Sequence, residues 1–288
     1  MSTSLDKLIT LLTLEPIEDT IFRGQSHDLG YGRLFGGQVL GQALAAARQT
    51  VPDDRFVHSF HSYFLREGAI SLPVIYQVDC VRNGRSFTTR RVTAIQKGKA
   101  IFTLMASFQI DEEGFSHQDV MPAVEPPEQL ASEYAIRLAM AKQAPDSLKK
   151  RILQESPIDI RPVTPTNPYI PEQQPPINRA WFKTKDPLPK DNPYLHRCLL
   201  AYASDFQFLP TALYPHGVRF FQPELQVASL DHAMWFHRPF RMDEWLLYSV
   251  ESPSASGARG LVHGQVFNQK GKLVASTTQE GLIRQRHK

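Results

Sequence analysis

Residues 82–107 read RNGRSFTTRRVTAIQKGKAIFTLMAS, and this stretch decides the fold class. β-Branched and aromatic residues alternate with polar residues on both sides of Lys97-Gly98-Lys99, which is typical of two strands joined by a tight turn. Asn83-Gly84, ahead of the first strand, is a second hairpin signal. The stretch therefore predicts antiparallel strands over 86–97 and 100–110.

The same pattern returns in the last third of the chain. There SASGARGLVHGQVFNQKGKLVASTTQ (254–279) repeats the alternation, and Lys270-Gly271-Lys272 takes the place of Lys97-Gly98-Lys99. Each copy follows an apolar helical pattern, FGGQVLGQALAAARQTV (35–51) in one and NPYLHRCLLAYASDFQFL (192–209) in the other. A repeat of this length indicates an internal duplication rather than two unrelated antiparallel sheets. Alternation predicts further strands at 56–65, 73–82, 157–163, 179–184, 227–240, 244–253, 258–269 and 272–284.

One helix followed by an antiparallel meander predicts an α+β hotdog, in which a curved sheet wraps a central helix. Two copies in one chain predict a double hotdog whose sheets join edge to edge, which also covers strand edges that would otherwise be exposed. Prolines crowd the middle of the chain, around a helical pattern at 129–143. We therefore divide the chain into an N-terminal hotdog (1–114), a proline-rich linker with a helix (115–156) and a C-terminal hotdog (157–288).

The bulk composition is that of an ordinary globular protein. Of 288 residues, 42% are hydrophobic and 21% charged, and the formal net charge of +3 is too small to indicate a nucleic-acid-binding protein. Two cysteines make no disulfide framework, and the N-terminus lacks the basic region and cleavage site of a signal peptide. No apolar run reaches the length of a membrane span. We expect a cytoplasmic protein without stable membrane association.

Asp205 is the first candidate for chemistry, because it lies within the apolar stretch LLAYASDFQFLP (199–210). An unpaired carboxylate in apolar surroundings is costly, so it needs partners or a shifted pKa. A surface acid or helix cap would be the structural explanation, but the sequence places Asp205 in the middle of a helix with an apolar face. The matching helix at 35–51 has no acid. One acid per pair of repeats indicates one polar site per chain.

Strand residues supply the possible partners of Asp205. Gln279 and Thr277 share one face of KLVASTTQEG (272–281), and a glutamine facing the core can donate and accept at once, which suits it to holding a water. An exposed face is the alternative, which we favour for Thr277 and leave open for Gln279. Ser229 lies in a run that otherwise reads as buried, so its hydroxyl needs a partner. Alternation places His232 on the opposite face from Ser229.

Several chemistries are disfavoured by missing patterns. His232 and His237 are an odd number of residues apart, as are His58 and His61, so neither pair is expected to bind a metal from one strand face. GRSFT (84–88) fails as a nucleophile elbow, and neither a phosphate-binding loop nor a dinucleotide fingerprint is present. We expect no metal, no cofactor and no covalent serine or cysteine intermediate.

Long blocks of the sequence resemble the type II acyl-CoA thioesterases of the TesB type, over nearly the whole chain. They are FRGQS (22–26), FGGQVLGQAL (35–44), VHSFHSYFLR (57–66), YASDFQFLP (202–210), LDHAMWFHRPF (230–240), WLLYSVESPSASGARG (245–260) and ASTTQEGLIR (275–284). The resemblance implies a double hotdog that hydrolyses medium- to long-chain acyl-CoA to fatty acid and CoA. The family's water-activating Asp, Thr or Ser, and Gln fall on Asp205, Ser229 and Gln279.

Further expectations concern the oxyanion and the assembly. In hotdog enzymes a helix N-terminus commonly holds the oxyanion, which points to Gly36, Gly37 and Gln38, with His58 as a further candidate in the same role or in substrate contact. Family members associate, so a homodimer or homotetramer is expected. Two alternatives stay open: a hotdog enoyl-CoA hydratase or dehydratase, although no histidine closely follows Asp205, and a non-catalytic acyl-CoA-binding protein.

Overall fold

The computed structural model describes residues 3–30, 32–141, 155–166, 172–189, 192–206, 208–218, 222 and 224–286. The first half comprises α1 (Ser4–Leu12), β1 (Glu15–Glu18), β2 (Ile21–Gly24), α2 (Gly36–Arg48), β3 (Phe56–Phe64), β4 (Val74–Asn83), β5 (Phe87–Gln96) and β6 (Lys99–Gln109). A 3₁₀ helix (Pro127–Gln129) and α3 (Glu133–Ala141) follow. The second half comprises β7 (Ile158–Pro162), β8 (Ile177–Thr184), α4 (Pro193–Ala203), a 3₁₀ helix (Leu209–His216), β9 (Leu225–Ser229), β10 (Asp231–Phe236), β11 (Leu246–Ser256), β12 (Arg259–Asn268) and β13 (Leu273–Gln285).

The strands form one antiparallel sheet that runs through both halves. Its order is β1-β2-β4-β5-β6-β3-β10-β13-β12-β11-β8-β7, with β9 added beside β13. The halves join where β3 pairs with β10, with Phe60 opposite Met234. The sheet covers α2 and α4, which pack against each other. This is the double hotdog expected from the repeat, and the predicted edge-to-edge joining of its two sheets is confirmed.

Tight turns are formed where the sequence predicted them. Lys97 and Gly98 both have positive φ, at 49° and 70°, so two residues suffice to reverse the chain between β5 and β6. In the second half Gly271 has φ 72°, and the Asn268 side chain accepts hydrogen bonds from the N–H groups of Lys270 and Lys272. The two turns are thus stabilised differently although their sequences match.

Helix α2 is buried along most of its length, including two glutamines. Gln42 is fully buried because its amide donates to the carbonyl oxygens of Leu11 and Gln25 and accepts from the Tyr76 hydroxyl at 2.7 Å. Such pairing removes the cost of burying a polar group. The helix predicted at 35–51 is present and spans Gly36–Arg48.

The second helix is shorter than predicted, and this corrects the position of Asp205. The pattern at 192–209 predicted a helix that would continue past Asp205, but α4 ends at Ala203. The Tyr248 hydroxyl donates to the Ser204 carbonyl at 3.0 Å, and Phe206 N–H bonds back to Ala203 at 3.1 Å, which tightens the chain into a turn. Asp205 therefore lies in a turn between α4 and the following 3₁₀ helix, not in mid-helix.

The linker carries a helix, as its pattern predicted. It spans Glu133–Ala141, and residues 142 and 143 of the predicted 129–143 helix lie outside the described residues. The assignment of 1–114, 115–156 and 157–288 as separate units remains a prediction. Among the helices that the structure describes, none is both long and apolar enough to cross a membrane.

Candidate active site

The two halves meet at the N-terminus of α2 and the turn that follows α4. The backbone N–H of Gly37 donates to Asp205 Oδ2 at 2.9 Å, so a group from the first half holds a carboxylate from the second. A Cβ on Gly36 would lie 2.7 Å from the same oxygen, and one on Gly37 would lie 2.2 Å from the Tyr202 carbonyl oxygen. Glycine is needed at both positions because the turn approaches the helix so closely.

Asp205 has a strongly shifted acidity. Burial raises the pKa of its carboxyl group to about 7. Hydrogen bonds from the Gly37 N–H and the Gln279 side chain lower it, as does the positive charge of Arg33, but they do not cancel the effect of burial. A carboxyl group with a pKa of about 7 exchanges a proton readily near neutral pH, which is the property required of a general base.

Strand β13 points two polar side chains inward. Gln279 is fully buried, and its amide nitrogen donates to Ser229 Oγ at 2.7 Å. Thr277 is buried on the same face, where its hydroxyl lies 2.9 Å from the Tyr248 hydroxyl. The expectation that Thr277 faces solvent was therefore wrong. Its hydroxyl tolerates burial because the Tyr248 hydroxyl is in hydrogen-bonding reach.

A β-bulge between β9 and β10 brings Ser229 and His232 to one face. Ser229 lies opposite Gly281 of β13, and Ala233 lies opposite Thr278, so four steps on one strand match three on the other. The extra residue reverses the alternation of side chains. The prediction that His232 faces away from Ser229 was therefore wrong, since both side chains contact Gln279.

His232 is fully buried and is hydrogen-bonded through both ring nitrogens. Its Nδ1 lies 2.8 Å from Gln279 Oε1, and its Nε2 lies 3.0 Å from Ser204 Oγ. Burial lowers the pKa of the imidazole to about 4, which leaves it neutral at physiological pH. No motif singled out His232, and the bulge that directs it inward has no signature in the letters.

The structure places the other two candidate residues elsewhere. The Gln38 side chain accepts from the His27 N–H and donates to the Gln25 carbonyl, so it anchors the segment ahead of α2. His58 Nε2 lies 2.8 Å from Ser107 Oγ and the ring packs edge-on against Phe87, on the outer face of the first-half sheet. The structure thus brings together Asp205, Ser229, Gln279, Gly36 and Gly37, and does not bring His58 to them.

An apolar pocket opens beside the Asp205 turn. Ala203 and Phe206, which flank the turn, form one wall, and Ile160, Phe182 and Val250 of the second-half sheet form the other. Tyr248 also lines the pocket, and its hydroxyl contacts Ser204 and Thr277. Local sequence patterns could not indicate this pocket, because its lining residues come from four separate segments.

Comparison with known proteins identifies the family of the chain. A family model described as "Acyl-CoA thioesterase" matches residues 148–282, and one described as "Acyl-CoA thioesterase N-terminal domain" matches residues 25–109. The chain is 46% identical to Acyl-CoA thioesterase 2 of Haemophilus influenzae, covering 99% of both chains. It is 44% identical to human Acyl-coenzyme A thioesterase 8, covering 96% of this chain and 88% of the relative.

A solved structure agrees. The crystal structure of the acyl-CoA thioesterase II TesB2 of Mycobacterium marinum matches with a TM-score of 0.79 and 42% identity, covering 97% of each chain. Together with the matched family models and the full-length relatives, this similarity shows that the chain belongs to the type II acyl-CoA thioesterase family.

Proposed function

We propose that the protein hydrolyses acyl-CoA thioesters to a fatty acid and free CoA by direct attack of an activated water. The observation that carries the proposal is the meeting of the first-half Gly37 N–H with the second-half Asp205, beside Gln279 and Ser229. A purely acyl-CoA-binding protein has no need for a partly buried carboxylate with a pKa near 7 among hydrogen-bond donors.

In this mechanism Asp205 is the general base, and Gln279 and Ser229 help to hold the water. As the water oxygen bonds to the thioester carbon, Asp205 takes its proton and the carbonyl becomes an oxyanion. The N-terminus of α2 faces this point, and the positive end of the helix dipole favours the negative charge there. Collapse of the intermediate breaks the C–S bond, and the proton held by Asp205 passes to the departing CoA thiolate.

We propose a medium- to long-chain substrate from the family resemblance; the apolar pocket beside the Asp205 turn, with a volume of about 20 Å³, would take only a small part of such a chain. The part of an alkyl chain that enters this pocket would contact Phe206 and Tyr248. Burial of each methylene contributes about 0.8 kcal/mol.

We also propose a cytoplasmic location and a homodimeric or homotetrameric assembly. Cys80 and Cys198 are both free thiols, which suits the reducing cytoplasm that we propose. Tyr63, Leu65 and Met105 are exposed on the first-half sheet and its edge. Burying exposed apolar residues would favour the proposed homodimer or homotetramer.

Thiol release from palmitoyl-CoA, followed with a thiol-reactive dye, tests the activity. We expect continuous turnover with fatty acid and CoA formed in equal amounts. Hydration of an enoyl-CoA without release of thiol would support the hydratase alternative instead. Stoichiometric binding of palmitoyl-CoA without release would support the carrier alternative. Either result, in place of turnover, would contradict the proposed hydrolysis.

A further inference from the structure

We propose that His232 is a positioning residue that fixes the orientation of the Gln279 amide, so that its NH₂ group faces Ser229 and Asp205. The inference rests on the proposed function, because it assigns a role inside the same site. His232 is kept apart from the catalytic set, since it reaches the reacting groups only through Gln279.

The geometry is a continuous chain of buried hydrogen bonds. Ser204 Oγ lies 3.0 Å from His232 Nε2, His232 Nδ1 lies 2.8 Å from Gln279 Oε1, and Gln279 Nε2 donates to Ser229 at 2.7 Å. Ser204, His232 and Gln279 are each completely buried. The backbone of His232 is held as well, because its carbonyl oxygen accepts a hydrogen bond from the Ser62 hydroxyl at 2.7 Å. The ring also stacks against Phe60 at 6.1 Å.

The protons in this chain decide which way the amide points. A neutral imidazole has one donor and one acceptor nitrogen, and an amide has an NH₂ group at one side and an oxygen at the other. If Ser204 donates to Nε2, then Nδ1 carries the proton and donates to Gln279 Oε1. The NH₂ group of Gln279 is thereby directed to Ser229 and to the carboxylate of Asp205.

The opposite arrangement is disfavoured by the charge of Asp205. Ser204 Oγ also lies 2.9 Å from the Ala201 carbonyl, so it could donate there and accept from His232 Nε2–H. Nδ1 would then be an acceptor, and the Gln279 amide would have to turn its oxygen toward Asp205. Two negative oxygens would face each other in a buried site, which is costly. The ionised base and the imidazole tautomer therefore stabilise each other.

The first half of the protein shows that the fold itself does not require this chain of hydrogen bonds. Gln279 follows Lys270 by the same interval at which Ala106 follows Lys97, and Ala106 lies opposite Phe60. The first half thus has an alanine and a phenylalanine where the second has the glutamine and the histidine. Both pairs are fully buried, so an apolar pair satisfies the packing at this place.

The acidity of Asp205 gives a readout of the amide orientation. The groups that act on its pKa are the Gly37 N–H at the start of α2, Arg33 in the preceding segment and Gln279 on β13. Tyr248 on β11 and His232 on β10 are also near, but burial raises the pKa of the tyrosine and lowers that of the histidine, so both are neutral. Donation from Gln279 lowers the pKa of Asp205, so loss of that donation moves it upward.

The experiment compares His232→Leu with His232→Asn, each assayed for thiol release from palmitoyl-CoA across pH 5–9. An asparagine nitrogen can take the place of Nδ1–H, whereas leucine has no donor. His196→Leu is the matched control, because His196 is also a buried histidine but bonds to the Met242 N–H on the far side of α4. Each variant is also made in a Gln279→Ala background.

We expect His232→Leu to reduce kcat by about 10- to 100-fold with little change in KM, by analogy with the scale found for outer-shell groups that orient metal ligands. The acid limb of its pH profile moves above the wild-type value near 7. His232→Asn recovers most of kcat, and His196→Leu keeps it. In the Gln279→Ala background His232→Leu has no further effect, because the two residues act as one unit.

Three results would overturn the proposal. They are a kcat of His232→Leu within twofold of wild type, equal losses in the leucine and asparagine variants, and additive losses with Gln279→Ala. If His232→Leu does not fold, a loss of kcat in His232→Asn as large as that in Gln279→Ala would overturn the proposal instead.

The proposed function and the positioning role can fail separately. Absence of thiol release by the wild type refutes the function. In that case the side-chain amide signal of Gln279 in ¹H–¹⁵N spectra, assigned by its loss in Gln279→Ala, still tests the role of His232. An unchanged signal in His232→Leu contradicts it, and a shifted, faster-exchanging signal supports it.

Discussion

The N-termini of α2 and α4 occupy matching places in the two halves, but they are completed in different ways. Helix α2 begins at Gly36 after Phe35, which provides no side-chain cap, and the Gly37 N–H is satisfied by a carboxylate from the other half. Helix α4 is completed locally. The Asn192 side chain accepts from the Leu195 N–H at 3.0 Å, and Pro193 has no N–H to satisfy.

The groups that pack against the two helix starts also differ: a carboxylate at α2, and an aromatic ring with its partners at α4. Counted from the caps Phe35 and Asn192, Arg48 at the end of α2 corresponds to Asp205 after α4. At the α4 end the Arg48 guanidinium stacks on the Tyr194 ring at 3.6 Å, and the tyrosine hydroxyl bonds to the Asp53 carbonyl. This aromatic ring and its partners fill the place that the turn and its carboxylate occupy at the α2 end.

The two helix ends are therefore specialised for different roles, although the halves repeat each other. The α4 end has the usual features of a stable helix start, an asparagine cap and a proline. At the α2 end the Gly37 N–H donates to the Asp205 carboxylate, whose pKa is raised by burial. The raised pKa is unfavourable for stability but useful for proton transfer. The following predictions test this division of labour between the two ends.

Asp205→Asn should reduce kcat for palmitoyl-CoA by about 10²–10⁴, the scale of losing a general base. The asparagine oxygen can still accept from the Gly37 N–H, so binding should be kept. Gln49→Ala, which changes the residue that directly follows α2 in the first half, is the control and should change kcat less than twofold. Steady-state thiol release measures both, and similar rates for the two variants would show that the ends are not specialised.

The same Asp205→Asn variant should be more stable than wild type above neutral pH, by up to about 4 kcal/mol. The pKa of Asp205 is about 7 in the folded protein against an ordinary 3.8, so the folded state binds its proton more tightly. The free energy of unfolding of the wild type therefore falls as pH rises from about 4 to about 7. Partial exposure of Asp205 makes the figure an upper limit.

Denaturant unfolding of both proteins at pH 4 and pH 8 checks this prediction. The advantage of the variant should be small at pH 4 and full at pH 8. An advantage that does not change between the two values would mean that the carboxyl pKa is not raised in the folded state.

Gly36→Ala should reduce kcat by about 10- to 100-fold, the usual cost of displacing a catalytic group by up to an ångström. The new Cβ would lie 2.7 Å from Asp205 Oδ2 and 3.1 Å from the Phe64 ring, so the carboxylate has to move. Gly114→Ala is the control, because a Cβ there meets nothing within 4 Å. Thiol-release kinetics of the two variants measure the difference, and equal rates would remove the close approach from the mechanism.

Asn192→Ala should lower the stability by about 1 kcal/mol, since the Leu195 N–H loses its cap. Its effect on kcat should be below twofold, because the α4 end is assigned no part in the reaction. Denaturant unfolding and thiol release measure the two quantities. A tenfold loss of activity in a folded variant would show that the α4 end also takes part.

The features that the sequence predicted are those that follow from local patterns. Alternation and turn residues give the strands and the Lys97-Gly98 reversal, and the repeat gives the double hotdog with its joined sheets. The isolated acid drew attention to Asp205 for a sound reason, because a carboxylate among apolar residues needs partners. The Gly36-Gly37 pair was placed at the start of a helix, where the structure also has it.

The features that the sequence missed depend on contacts between distant segments. Helix α4 ends where the Tyr248 hydroxyl donates a hydrogen bond to the Ser204 carbonyl oxygen. Tyr248 is distant in sequence, so the helical pattern at 192–209 could not predict this end. The inward direction of His232 depends on one extra residue between β9 and β10. His58 was a candidate for oxyanion or substrate contact without support from a local pattern. Its contacts with Ser107 and Phe87 lie on the opposite side of the sheet from the helices.

The seam between β3 and β10 has a consequence for precision. Gly37 belongs to one half and Asp205 to the other, and the halves share a sheet through the pairing of Phe60 with Met234 and its neighbours. A slip of two residues along this seam would preserve every inward and outward direction, yet displace one half by about 7 Å. The alignment of base and helix end is thus inherited from a ladder of main-chain hydrogen bonds between β3 and β10.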